Sequence, residues 1–429
     1  MLDVHSPRVI ALRAAVATGD RDSALAAFWR EVERTGTPLV EPANGANFPV
    51  HDRGLPLAMA GSPAEDDRGF SLVTFLWRSS ANVHVLVQDI DPPGQNVLRM
   101  ELVRLPDTDV WFRTYRIRND ARFVYELSVN DPDYPFLRSP VTRFPSVIQA
   151  DPLNHHPWDQ MKPRVLSLVE LPDAPSLATS VPRETTPHGE VGELSDKIHS
   201  KILGDDRRVF AYKPVGYRAT GPTYPLLVFS QSYLTTIPLP VILDNMIASG
   251  DIPPVVAVFY EHHDQGKETS CDPRFGDFLA TELLPWTRAR LNATADPRQV
   301  VLGGASASGL SAACAALEHP EAFGNVLSED GAFWRSPARD PEDEWLSRQV
   351  SVRPKVEVRF YLSIGLLETG DSFDDGTISM LDANRHFRDV LRARGYDVTH
   401  AEIMGAHDPF NWRAALPAGL KALLQGTAK

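Results

Sequence analysis

The stretch "VVLGGASASGLSAACAALEHPEAFGNVLSEDGAFW", residues 300–334, places two serines in a turn between an apolar run and an alanine-rich segment. A serine hydroxyl is a weak nucleophile near neutral pH. It needs a histidine within hydrogen-bond reach and an acid that holds that histidine in the right tautomer. Both partners follow in the order serine, acid, histidine. "LLETGDSFDD" comes after the apolar run "VRFYLSIG" and offers Glu368, with Asp371, Asp374 and Asp375 as rivals in the same loop. "AHDPFNW" comes after "THAEIMG" and offers His407, directly behind a strand. His386 falls inside a helical segment and His319 near the end of one, where solvated rings are expected. The chemistry these residues fit is acyl transfer, with serine attacking a carbonyl and histidine taking its proton.

Sterics decide between the serines. Where a strand turns abruptly into a helix, the tip residue is strained, and the positions two before and two after must be small so that strand and helix can approach. Around Ser306 these positions are Gly304 and Ser308; around Ser308 they are Ser306 and Leu310, and leucine would crowd the turn. Ser306 is therefore the expected nucleophile. The turn also puts the Ala307 backbone N–H at a helix start, aimed at a developing oxyanion. This is the nucleophile elbow of the α/β-hydrolase fold, whose chain order is likewise serine, acid, histidine.

The elements that must position these residues are legible as two halves. Residues 8–34 have helical spacing around a break at "TGDRDS". From residue 70 the period becomes two, in "FSLVTFLWRS", "NVHVLVQDI", "LRMELVRLP", "VWFRTYRIR" and "ARFVYELSV", which predicts an antiparallel β-sandwich. We expect this domain over residues 1–171, a Pro/Ser/Thr-rich linker over 172–187, and a catalytic domain over 188–429. In the last, strand runs such as "PLLVFSQS", "PPVVAVFY" and "QVVLGG" alternate with helical segments. That pattern predicts a largely parallel α/β sheet with its chemistry at the carboxyl ends of the strands. A net charge of −13 argues against general nucleic-acid binding. No apolar run approaches the roughly 20 residues that span a bilayer. The opening residues carry no export-signal pattern, and Cys271 and Cys314 are the only cysteines, so a reducing cytoplasm without disulfides is the expectation.

The elbow region resembles that of the enterochelin esterases, an esterase D-like group of α/β-hydrolases. The likeness continues in "ELLPWTRARL", in "GAHDPFNWRAAL" and in "IQADPLNHHPW", the last resembling the stretch that closes the family's N-terminal β-domain. The resemblance implies a cytoplasmic serine esterase opening the ester bonds of a catecholate siderophore for iron release. Ser306 would be the nucleophile, His407 the base and Glu368 the acid, with no metal or organic cofactor; iron would arrive within the substrate. Three sites depart from the family pattern. Ser230 and Gln231 replace an acidic residue and glycine, so the second oxyanion donor falls to the backbone of Gln231 or Ser232. Gln265 replaces an arginine near Lys267 and Glu268, and Asp330 replaces a serine. Ser232, Lys267, Glu268 and Trp334 are the candidate substrate contacts. An acyltransferase or a thioesterase acting on a biosynthetic ester, and a non-catalytic binding protein on the same fold, are the alternative readings.

The remaining residues have plainer expectations. His262, His263 and Asp264 read as a solvated or substrate-facing loop rather than a metal site. His155 and His156 flank Trp158, whose expected work is packing. Trp77, Trp111 and Tyr125 read as core. Arg78, Arg113 and Arg116 are either a basic face for an anionic ligand or a solvated sheet surface, and Cys314 is a small core residue.

Overall fold

The computed structural model describes residues 6–43, 69–88, 101–132, 147–161, 164–194, 196–337, 340–369 and 378–425. The chain forms two compact units. One comprises Met1–Pro175 with Leu366–Thr377 and Met404–Phe410; the other comprises Ser176–Gly365, Ile378–Ile403 and Asn411–Lys429.

The first unit opens with helices α1 (Pro7–Thr18) and α2 (Arg21–Thr35). The break between them is where Gly19 ends one helix and the Asp20 carboxylate caps the next, accepting from Ser23 N–H. Eight strands follow: β1 (Leu39–Pro42), β2 (Phe70–Arg78), β3 (Val85–Gln88), β4 (Val103–Arg104), β5 (Val110–Arg118), β6 (Arg122–Val129), β7 (Pro157–Met161) and β8 (Arg164–Glu170). They make two antiparallel sheets, β1-β2-β5-β4 and β3-β6-β8-β7. Phe75 of β2 meets Tyr125 of β6 edge to face at 4.8 Å, so aromatic side chains join one sheet to the other. Tyr125 and Trp111 are buried as expected and Trp77 only partly, whereas Arg116, expected on a basic or solvated face, is buried with its guanidinium 3.5 Å from the centre of the Phe70 ring.

The second unit adds β9 (Glu190–Glu193), the hairpin β10–β11 (Ile198–Ser200, Asp205–Arg207), and β12 (Val209–Lys213), β13 (Leu226–Ser230), β14 (Val256–Tyr260), β15 (Val300–Ala305), β16 (Asn325–Glu329), β17 (Arg359–Gly365) and β18 (Asp397–Ile403). One eight-stranded sheet has the order β18-β17-β16-β15-β13-β14-β12-β9. Its members are parallel from β14 through β18 and antiparallel at β12 and β9. Alternate residues sort to opposite faces. Leu226 and Val228 pack with Leu310 and Ala313 of the helix Ala307–Glu318, whereas Leu227 and Phe229 pack with Leu243 of Leu239–Ala248 and Leu416 and Leu420 of Pro409–Leu424. Covering both faces is why these strands read as unbroken apolar runs.

Candidate active site

β15 delivers Ser306 into a conformation that L-residues avoid, with φ 55° and ψ −126°. The surrounding backbone holds it there. Ser306 N–H donates to the Glu329 carbonyl at 2.8 Å, and its own carbonyl accepts from Gly309, Leu310 and Ala332 at 3.0, 3.2 and 3.0 Å. A Cβ on Gly304 would lie 2.7 Å from the backbone of Ser308, so glycine is required two positions before Ser306. After it, the demand for glycine moves one position on. A Cβ on Gly309 would stand 2.5 Å from Ser328 Oγ and 3.0 Å from the Gly304 carbonyl oxygen, which is how Ser308 can occupy the position that is usually glycine.

Glu329, behind the elbow, is fully buried. Tyr233 donates to its Oε2 at 2.6 Å, and Oε1 has no partner among the described residues. Burial drives its pKa well above the carboxylate range; the Tyr233 hydrogen bond opposes this and the Asp330 charge adds to it. The shift favours the neutral form of Glu329. Asp330, at φ 47°, accepts from Gly365 N–H at 3.0 Å and from Trp412 Nε1 at 2.6 Å, so the acidic replacement noted in the sequence is a buried tie.

In the first unit His407 and Glu368 meet. His407 Nδ1 lies 2.7 Å from Glu368 Oε2, with the glutamate side chain 3% exposed and the imidazole 39% exposed. A carboxylate only accepts, so the imidazole proton sits on Nδ1 and the lone pair is on Nε2, the tautomer that a general base requires. The two loops are joined by Leu367 N–H donating to the Gly405 carbonyl at 3.0 Å. Asp408, beside the histidine, accepts from Phe410 N–H at 2.8 Å and from Val124 N–H of β6 at 3.1 Å, and Arg122 N–H donates to the Met404 carbonyl. Trp158 packs edge-on against Phe410 at 5.0 Å, the packing duty expected of it. The rival acids Asp371, Asp374 and Asp375 lie outside the described residues.

Several expectations need correction. The Gln231 N–H cannot serve an oxyanion, because it donates to the Tyr260 carbonyl at 2.8 Å and carries the β13–β14 ladder one residue past the strand end. Ser232, first residue of the short helix Ser232–Thr235, keeps the candidacy through its backbone N–H; its hydroxyl is 2.7 Å from that of Ser230. Glu268 is not presented to a substrate. It is buried and accepts from Arg207 at 2.6 Å and His262 at 2.9 Å. Burial raises its pKa, but the hydrogen bonds from His262 and Arg207 outweigh this and hold the carboxyl at about 2. His262, expected in an open loop, is only 10% exposed, because its ring nitrogen satisfies that carboxylate. Its neighbour His263 turns instead to Asp205 at 3.0 Å. Lys267 is exposed, and Trp334 is half-buried against the core. Cys271 and Cys314 are joined in a disulfide, with Cα atoms 5.5 Å apart, against the expectation of free thiols. The tie of Ser308 to His262 and the Asp408–Val124 bond also escaped the sequence; an unexplained serine in a glycine position was the one signal for the former.

Residues 200–423 match the protein family described as "Putative esterase", and residues 72–179 match "Enterochelin esterase, N-terminal". The iron(III) enterobactin esterase of Dickeya dadantii is 28% identical, with 93% of each chain covered. The iron(III) salmochelin esterase of Escherichia coli O6:H1 is 27% identical, with 98% of each covered. The crystal structure of the ferric enterobactin esterase of Salmonella typhimurium superposes with a TM-score of 0.67 at 24% identity, covering 84% of this chain and 95% of that one. The fold is thus that of the enterobactin esterases. With the family match covering more than half its length, from β10 to the last helix, the chain belongs to this esterase family and carries the enterochelin esterase N-terminal domain ahead of its catalytic half.

Proposed function

We propose that the protein is a serine esterase that opens the ester bonds of a catecholate siderophore, free or ferric, through an acyl-enzyme on Ser306. The observation that carries this reading is topological. Ser306 follows β15, Glu368 follows β17 and His407 follows β18, and parallel strands deliver their carboxyl ends to one edge of a sheet. His407 Nε2 takes the Ser306 proton as the hydroxyl attacks the ester carbonyl, and returns it to the departing alcohol. The same nitrogen then activates water against the acyl-enzyme. Ala307 N–H, with Ser232 N–H as second donor, receives the oxyanion. The domain spanning residues 1–171 binds substrate, 172–187 links it, and 188–429 catalyses. Action inside the cell follows the sequence expectation and the relatives' iron-bearing substrates. Among the described residues no helix is long and apolar enough to cross a membrane.

The test uses the purified protein and a tri-catecholate lactone, read by mass spectrometry. Monomeric hydroxy-acid products are expected from the wild type. Ser306→Ala should lower turnover by at least about 10³-fold while substrate still binds; turnover retained in that variant rejects the assignment.

A further inference from the structure

On the helix behind the nucleophile, Ser308, Ser311 and Cys314 recur every three residues and so lie along one side of the helix. All three are tied to the same neighbouring segment. Ser308 Oγ is 3.5 Å from His262 Nε2, Ser311 Oγ donates to the Glu268 carbonyl at 3.0 Å, and Cys314 is bonded to Cys271. The segment is itself anchored. Glu268 accepts from His262 Nδ1 and from Arg207, whose side chain is 1% exposed and also held by Asp205 and the Glu261 carbonyl. The His262 ring is packed between Tyr260 and Phe275, each at 5.2 Å.

The proton positions follow from the partners. The Glu268 carboxylate accepts only, so His262 carries its proton on Nδ1 and presents Nε2 as an acceptor, to which the Ser308 hydroxyl donates. Serine, histidine and glutamate therefore stand in the arrangement used for nucleophilic catalysis, two residues beyond Ser306. Their placement argues for a different duty. Ser308 is 8% exposed, and its backbone is wedged against Gly304, so it has no room to receive an acyl group. A hydroxyl there must find a buried acceptor, and the acceptor fixes the rotation of the first helical turn.

We infer that His262, acting through Ser308, is a positioning residue for ester hydrolysis: the Ser308–His262–Glu268 relay holds the first turn of Ala307–Glu318, and with it the Ala307 N–H that receives the oxyanion. The catalytic consequence rests on Ser306 being the nucleophile; the structural consequence does not. Alignment of an oxyanion donor acts on the transition state, so the loss falls on kcat and leaves KM in place.

The experiment compares wild type, His262→Ala, His262→Gln, Ser308→Ala and the double alanine variant. It measures the rate at which a fluorophosphonate labels Ser306, kcat and KM on the ester, and deuterium uptake over residues 304–312. Each alanine variant should label about ten- to a hundredfold more slowly with KM unchanged, and the double variant should be no slower than the singles. His262→Gln should recover most of the rate, since its amide oxygen accepts from Ser308 while its NH₂ donates to Glu268. Uptake should quicken in the alanine variants and not in His262→Gln. Wild-type labelling together with wild-type uptake in His262→Ala overturns the inference, as does probe on Ser308 in a Ser306→Ala background, which would make Ser308 a nucleophile. A wild type unlabelled at Ser306 removes the esterase reading instead, and the uptake measurement alone then decides the relay. If His262→Ala does not fold, Ser308→Ala and His262→Gln carry the same comparison.

Discussion

Three acidic residues near the chemistry have been given three different environments, and their expected behaviour differs accordingly. Glu368, bonded to His407, sets the tautomer of the proposed base. Glu368→Gln keeps the shape but offers an amide that can present NH₂ to Nδ1, so kcat should fall by about 10²- to 10⁴-fold with little change in KM, measured by initial rates on the lactone. Glu329 is the reverse case, a carboxyl that burial shifts toward its protonated form. Its pKa is raised from an unfolded value of 4.5, so its contribution to stability is complete below pH 4.5 and is lost as pH rises toward the raised folded value. Glu329→Gln removes this loss. The melting temperature of the variant should pull ahead of the wild type as pH rises from 4.5 toward the raised folded value, by up to about 1.4 kcal/mol per pH unit, and a gap that does not change with pH would show that the carboxyl is not shifted. Glu268 has the opposite sign: its stabilisation is present above 4.5 and lost as pH falls toward about 2.

Among the elements, those with one clear period were legible in the sequence and the contacts between distant ones were not. β2, β5 and β6 are short runs rich in β-branched and aromatic residues, and β13, β14 and β15 are apolar runs bounded by turns, so their existence was legible, although β2 and β6 are buried almost without a break rather than alternating as a period of two implies. The elbow was legible because sterics at Gly304 act over four residues. The loop after β14 was not. Two histidines and three acids in ten residues look solvated on the page, and only Arg207, more than fifty residues earlier, makes Glu268 and His262 a buried pair. Asp408 illustrates the same limit, since its partner Val124 lies in the other half of the sequence. Asp408→Ala removes acceptors for two backbone N–H groups of the histidine loop and β6. With His407 as the proposed base, it should lower kcat about tenfold or more and leave fluorescence-monitored substrate affinity nearly unchanged, because a base acts in the transition state.

At the scale of the molecule, the disulfide is the feature that composition argued against. Two cysteines 43 residues apart gave no framework to read, yet the fold brings one from the elbow helix onto the other. Closing a loop of that length stabilises a native state by about 2 to 4 kcal/mol. A dithiol reductant should therefore lower the melting temperature, and thiol alkylation of the denatured, unreduced protein should find no free cysteine. Two alkylated thiols in protein taken directly from cells would mean that the pair is reduced where the protein resides.

The histidine loop also bears on when activity can arise. Met404–Phe410 completes the unit built from the first 175 residues, and the Val124–Asp408 bond spans 284 positions. A chain leaves the ribosome amino end first. The strands of the sandwich are therefore made long before the segment that packs with them, and the proposed base is made well after the serine it would serve. A nascent chain thus carries Ser306 for the time needed to make about a hundred further residues before the proposed base exists, and on that reading it cannot open an ester in that interval.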